Sequence, residues 1–172
     1  TERNNNPPYA GTYNNGATEL AQYANGGSFN NTPGAAAFQT FSITGNGATG
    51  TARTLNVGDR FTITVFTSTN PSAGGRIGIS FRNTTSVTNF FSSTDANTVA
   101  RFQLDNTGGW KIYNGGTTVQ NAGATSGADR TLSIEITSSN TFNATIAGTT
   151  YYDLTFAATG PISQFCIYSF GD

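Results

Sequence analysis

Histidine is absent from this chain of 172 residues, and cysteine occurs once. Without histidine, the chain cannot use a Ser-His-Asp or Cys-His nucleophile, a histidine acid or base, or a histidine metal ligand. The lone cysteine, Cys166, has no partner for a disulfide within the chain and lies in the apolar stretch FCIYSF. We expect its thiol to be buried and to pack as a small hydrophobic group.

Charged side chains are scarce as well, at 10% of the residues, with 8 basic and 9 acidic groups and a net charge of -1. The basic residues form no cluster along the chain, so we expect neither nucleic acid nor a membrane surface as a partner. No apolar run is long enough to span a bilayer. The N-terminal sequence TERNNNPPYAG lacks the charged-then-apolar layout of a signal peptide, and we expect a mature or excised domain.

A pair of carboxylates, the catalytic groups of glycosidases, is not evident in the sequence either. A glycosidase needs two Asp or Glu side chains roughly 5 to 9 Å apart, and on one strand the simplest spacing is two residues. No Asp/Glu pair has that spacing, and the three glutamates are Glu2, Glu19 and Glu135. The sequence also lacks an Asp-x-Asp-x-Asp loop for calcium. We therefore expect a non-catalytic protein.

The abundant residues favour strands joined by tight turns: the chain has 21 Gly, 13 Phe and 7 Tyr. We expect a single all-β domain over residues 1–172, with an irregular or edge segment at 1–36 and regular strands over 37–172. The predicted strands are Phe38–Thr44, Asp59–Thr67, Arg76–Arg82, Val99–Asp105, Trp110–Tyr113, Thr131–Thr137, Thr141–Ile146, Tyr151–Phe156 and Ile162–Phe170.

Alternation along these strands selects the side chains that face the core. Half-buried antiparallel strands without helices must stack as two sheets or close as a barrel, and we favour a two-sheet sandwich. On the strand at 151–156, alternation points Tyr152 toward the core and Tyr151 outward. The predicted inward sets are Phe61, Ile63 and Val65; Ile77, Ile79 and Phe81; and Leu132, Ile134 and Ile136.

The segment 101–116, RFQLDNTGGWKIYNGG, reads as a hairpin with two chemically different faces. Phe102, Leu104 and Ile112 share its apolar face with Trp110, which alternation places toward the core. A second role for Trp110, as a ligand-binding side chain, stays open. The opposite face is polar and consists of Arg101, Gln103, Asp105, Lys111 and Tyr113.

The order of the strands resembles a known family, on the segments LNVGDRFTITVFTS, GGRIGISFRN, ARFQLDNTGGWKIYNGG and RTLSIEITSSNTFNATIAGTTYYDLTF, closing with ISQFCIYSF. Over about residues 38 to 170 it is similar to the concanavalin A-like jelly roll of laminin-G-type, lectin and carbohydrate-binding modules. The resemblance implies a two-sheet antiparallel sandwich with a concave sheet on which glycans lie. It also implies a possible structural calcium, for which Asp153 and Asp172 are candidate ligands.

Carried onto this sequence, the resemblance implies one exposed glycan-binding face on the central strands. Guanidinium forks and amides fix sugar hydroxyls, while aromatic rings pack against sugar C–H groups. The same side chains also fit ordinary solvated strands with cross-strand charge pairs such as Arg101 or Lys111 with Asp105. The candidate ligand-binding residues are Arg76, Arg82, Arg101, Gln103, Asp105, Lys111, Tyr113 and Trp110, with Ser80 on the same face.

Taken together, these patterns lead us to expect a non-catalytic, lectin-like module that binds a polysaccharide or oligosaccharide. We expect it to be secreted or at the cell surface, and to act as a monomer within a larger multidomain protein. A structural or adhesin spacer without a specific ligand is the alternative. A polysaccharide lyase that works without histidine, with Arg76, Gln103, Lys111 and Tyr113 around an acidic sugar, is the third.

Overall fold

Two antiparallel β-sheets packed face to face form the body of the protein. In the computed structural model, every regular element among the described residues is a β-strand, which confirms the predicted all-β, two-sheet sandwich. None of the described residues belongs to a helix long and apolar enough to cross a bilayer. The structure describes residues 2–5, 10–14, 20–24, 34–41, 51–67, 70–71, 75–84, 97–106, 109–114, 117–123, 126–157 and 160–170.

The larger sheet has seven strands, all paired antiparallel. The last strand of the sequence lies inside this sheet, between a strand from the N-terminal part and a strand from the central part of the sequence. In spatial order the strands are β1 (Glu2–Asn5), β4 (Gly34–Thr40), β13 (Gln164–Phe170), β6 (Arg76–Arg82), β7 (Thr98–Asp105), β8 (Gly109–Asn114) and β9 (Thr117–Asn121).

The smaller sheet has four antiparallel strands, and a separate two-stranded hairpin lies between β1 and β4 in the sequence. In spatial order the four strands are β12 (Thr149–Thr155), β11 (Thr141–Ile146), β10 (Asp129–Ile136) and β5 (Arg60–Phe66). The hairpin consists of β2 (Ala10–Asn14) and β3 (Leu20–Ala24).

The hydrophobic core lies between the two sheets and is built from the faces that alternation selects. The Phe61 ring of the smaller sheet meets the Phe81 ring at 5.5 Å and the Phe165 ring at 4.8 Å, measured between centroids. All the predicted inward residues except Ile77, which is half-buried, belong to the core or pack against it. Because both sheets present β-branched and aromatic side chains to each other, their apolar faces leave water together.

The hairpin β2–β3 lies against β4 and β13 of the larger sheet. On those two strands, Ala36, Phe38, Cys166 and Tyr168 point away from the core, yet all four are buried. Since the smaller sheet covers the opposite face, the hairpin is the described element that covers this one. Both faces of the larger sheet are therefore covered at β4 and β13, and Cys166 is buried as predicted.

Candidate functional site

The predicted polar residues do lie together on one face of the larger sheet, away from the core. Directly paired residues on neighbouring strands share a face. On this face, β6, β7 and β8 are therefore joined by the pairs Arg76–Asp105, Ser80–Arg101, Gln103–Lys111 and Arg101–Tyr113. On the side of β13, Arg82 pairs with Gln164. We call this surface the polar face; its described members are Arg76, Ser80, Arg82, Arg101, Gln103, Asp105, Lys111, Tyr113, Gln164, Cys166 and Tyr168.

The prediction that this face is exposed is wrong for four of its eight predicted residues. Arg82 is 0% exposed and Gln103 is 2% exposed, while Ser80 and Tyr113 are also buried. The remaining four, Arg76, Arg101, Asp105 and Lys111, are half-buried. A two-residue period separates the two faces of a strand, but it does not say whether a further segment covers the second face.

A chain of hydrogen bonds runs across the polar face from β13 to β8. The Tyr168 hydroxyl donates to Gln103 Oε1 at 2.9 Å, and Gln103 Nε2 donates to the Tyr113 hydroxyl at 3.4 Å. That hydroxyl donates in turn to Asp105 Oδ2 at 3.5 Å, where Lys111 Nζ donates at 2.8 Å. The network begins at a buried phenol and ends at an ion pair whose side chains are 17% and 13% exposed.

Tyr168 is the inner end of this network and acts as a neutral donor. Burial raises the pKa of its phenol well above the ordinary value, because the phenolate would lose its hydration; the nearby Arg101 opposes that effect only in part. The phenol therefore stays protonated at neutral pH. It supports the site by fixing Gln103 and does not offer a base for proton abstraction.

The inner part of the polar face also holds a buried cation. Arg82 Nη1 donates to Gln164 Oε1 at 2.8 Å, and its guanidinium carbon lies 5.4 Å from the centre of the Phe38 ring. Sequence reasoning missed Gln164 and Tyr168 as members of this face. Their alternation with Phe165 and Ile167 on β13 was a usable signal, because it sends 164, 166 and 168 to the side opposite the core.

The β7–β8 end of the face is where it becomes accessible. The guanidinium carbon of Arg101 lies 4.4 Å from the centre of the Tyr113 ring, so the ring holds the guanidinium in place. Its Nε is buried and has no hydrogen-bond partner among the described residues. Arg101, Asp105 and Lys111 all remain half-buried here, and this end presents two cations, a carboxylate and a phenol within one hairpin.

Trp110 belongs to the core and not to this site, which corrects its inclusion among the ligand-binding residues. It pairs with Leu104 on the core face and is 1% exposed. Its indole Nε1 finds no hydrogen-bond partner among the described residues. A side chain so placed anchors the packing between the sheets and cannot meet a ligand on the polar face.

The candidate metal ligands are not supported by a cluster of side chains. Within the ranges that the structure describes, no three His, Cys, Asp or Glu residues lie close enough together to hold a metal ion. Asp153 is exposed, and its backbone N–H donates to Asn143 Oδ1 at 3.1 Å. Asp172 lies outside the described residues, and the calcium site stays a prediction.

Comparison with known protein families and with curated proteins gave no match to this chain. The chemistry of the polar face is therefore the basis on which a function is proposed.

Proposed function

We propose that the protein is a non-catalytic carbohydrate-binding module that binds a polysaccharide at the β7–β8 end of the polar face. The observation that carries the proposal is the placement of Arg101: its guanidinium is fixed against Tyr113, and its Nε has no acceptor among the described residues. A donor held in this way, on the same face as Lys111 and Asp105, suits the recognition of sugar hydroxyls, which both donate and accept.

The two-sheet antiparallel architecture is compatible with the finer part of the proposal, a concanavalin A-like jelly roll. In that proposal the larger sheet supplies the glycan-binding surface, and the module belongs to a larger secreted or cell-surface protein. The low charge of the chain and its Thr- and Asn-rich polar positions agree with such a setting. Fold alone does not decide function, so the binding residues carry the test.

Retention on immobilised polysaccharides tests the proposal directly. We expect the protein to be retained by at least one member of a panel of neutral and acidic polysaccharides, and Arg101→Gln to weaken retention roughly tenfold or more. Arg60→Gln is the matched control, because Arg60 pairs with Glu135 on the outer face of the smaller sheet. Equal retention of wild type and Arg101→Gln would remove the site from β7–β8.

A spacer without a ligand is the second candidate, and the burial of Arg82, Gln103 and Tyr168 favours it. Polar side chains that are hydrogen-bonded to one another inside the protein serve its stability without any ligand. For a spacer we expect no retention on any polysaccharide of the panel. That outcome would reject the carbohydrate-binding proposal.

A further inference from the structure

The described part of the polar face holds more basic side chains than carboxylates. Arg76, Arg82, Arg101 and Lys111 are half of the 8 basic residues of the chain. Among the described residues of the face there is one carboxylate, Asp105, and Lys111 binds it at 2.8 Å. A group of cations on one side of a sheet raises the local positive potential and favours an anionic ligand over a neutral one.

Two polar atoms in the middle of this face lack partners within the described part of the chain. One is Arg101 Nε; the other is the hydroxyl of Ser80, a residue that is only 1% exposed. Ser80 and Arg101 are directly paired across β6 and β7, so their side chains stand next to each other on the same face. Buried donors without acceptors are rare in proteins, and two adjacent ones point to an acceptor that the described part of the chain does not supply.

We propose that Ser80 and Arg101 form a subsite for the carboxylate of an acidic sugar, a uronate, within the bound polysaccharide. This inference rests on the proposed carbohydrate-binding function and deepens it. A carboxylate accepts two parallel hydrogen bonds from the Nε edge of a guanidinium, and the Ser80 hydroxyl donates to one of the same oxygens. Arg101, the partly accessible member, meets the anion first, and the buried Ser80 completes its hydrogen bonding.

Tyr113 and Lys111 define the geometry of the subsite. Because the Tyr113 ring lies against the Arg101 guanidinium, it limits the directions in which the guanidinium can turn. Lys111 is already paired with Asp105, so it does not compete for the carboxylate of the ligand. The subsite therefore discriminates by charge and by the planar shape of the anion.

Binding to polygalacturonate and to the same polymer after reduction of its carboxyl groups tests the subsite. We expect the intact protein to bind the charged polymer roughly tenfold or more tightly than the reduced one. Arg101→Gln should remove that preference, whereas Arg60→Gln on the other sheet should keep it. Dextran sulfate serves as a second polyanion; binding to it as tight as to polygalacturonate would show a general charge effect and overturn the carboxylate assignment.

Ser80→Ala separates ligand binding from folding. Its hydroxyl has no hydrogen-bond partner among the described residues, so its removal should leave the urea midpoint of unfolding unchanged. We expect the same variant to lose affinity for polygalacturonate, and unchanged affinity would overturn the role of Ser80. Equal binding of the charged and reduced polymers would overturn the uronate subsite while leaving carbohydrate binding intact. Retention of neither polymer, nor of any other polysaccharide, would overturn the proposed function itself.

Discussion

Gly78 is the residue that allows Tyr168 to reach across the polar face. The two are directly paired on β6 and β13, and a Cβ on Gly78 would lie 2.5 Å from the Tyr168 hydroxyl oxygen and 2.4 Å from the carbonyl oxygen of Phe102. The phenol ring therefore occupies the space above the glycine. Its hydroxyl can then donate to Gln103 on the next strand.

We expect Gly78→Ala to destabilise the protein by about 1–3 kcal/mol, because the new methyl group overlaps both a ring and a backbone carbonyl. Urea unfolding followed by tryptophan fluorescence measures the change. Tyr168→Phe should cost about 1 kcal/mol in the wild-type background, through the lost hydrogen bond to Gln103. It should cost less in Gly78→Ala, where the ring is already displaced. An unchanged urea midpoint for Gly78→Ala would contradict the close approach.

Asp59 closes the turn that leads into β5. Its Oδ2 accepts a hydrogen bond from the backbone N–H of Asn56 at 2.8 Å and another from the Arg53 guanidinium. These donors, the backbone N–H first, hold the pKa of the carboxyl below its ordinary value of 3.8, because both stabilise the charged form. The turn therefore depends on an ionised carboxylate.

Stability should depend on the charge of Asp59 at acidic pH. The folded-state pKa lies below the unfolded value, so the contribution is present above pH 3.8 and is lost as the pH falls through the lower, folded-state pKa. We expect the urea midpoint of wild type to fall more steeply than that of Asp59→Asn between about pH 5 and about pH 2. Asp129→Asn is a control for removing one exposed carboxylate, and identical pH profiles for wild type and Asp59→Asn would refute the prediction.

At the scale of elements, the hairpin of β11 and β12 turns through Ala147 and Gly148. Both have positive φ, 51° and 85°, between the paired residues Ile146 and Thr149. Two successive residues in the left-handed region are typical of a type I′ turn, for which Asn-Gly is the preferred sequence. Alanine is strained there, because its Cβ crowds the following carbonyl oxygen.

Ala147→Asn should stabilise the protein by roughly 0.5–1 kcal/mol, since asparagine tolerates the left-handed conformation better than alanine. For a domain of this size we expect the Tm to rise by about 1–4 °C in a thermal melt. Gly148→Ala is the companion variant: a Cβ there meets open space, but φ is 85°, so the Tm should fall. A lower Tm for Ala147→Asn would mean that the turn has another geometry.

The same hairpin shows where strict alternation fails. The register shifts between Phe142 and Ala144, so that Tyr151 and Leu154 both face the core although they are three residues apart. Tyr152 is consequently 69% exposed, and the prediction that Tyr151 is the outward tyrosine is wrong. A bulge adds one residue to one strand, which reverses the alternation beyond it. The YYDL sequence contains no signal that predicts the extra residue of this bulge.

Strand prediction succeeded where apolar residues alternate and failed where they do not. The strands from β5 to β8 and from β10 to β13 were all predicted, with differences at their ends. β9 was missed because its sequence, TTVQN, contains one apolar residue and lies at the sheet edge. Three strands were also found within the segment predicted to be irregular or an edge strand; β1 is indeed at an edge, whereas β2 and β3 pair with each other.

At the scale of the whole molecule, the larger sheet is covered on its two faces by different parts of the chain. The smaller sheet covers one face over an extensive apolar contact, whereas the hairpin β2–β3 covers the other at β4 and β13. Alternation along the strands predicted which side chains share the polar face. It could not predict their burial, because a two-residue period does not say what covers a face.

The chain carries one natural reporter for each face. Trp110 is its single tryptophan and lies on the core face, while Cys166 is its single cysteine and lies on the polar face. Both are fully buried in the folded protein. Tryptophan fluorescence therefore reports on the contact between the two sheets, and thiol labelling reports on the contact between the larger sheet and the hairpin β2–β3. Neither measurement needs a substitution.

We expect the polar face to open before the core does. A two-stranded hairpin is only marginally stable by itself, so its detachment should require less free energy than separation of the two sheets. In the intact chain, labelling of Cys166 by a thiol reagent should accelerate at urea concentrations that leave Trp110 fluorescence unchanged. If the labelling rate of Cys166 and the fluorescence of Trp110 instead change over the same range of urea concentration, the hairpin β2–β3 detaches only when the whole protein unfolds. Ligands on the polar face would then have to bind at its accessible β7–β8 end without any movement of the hairpin.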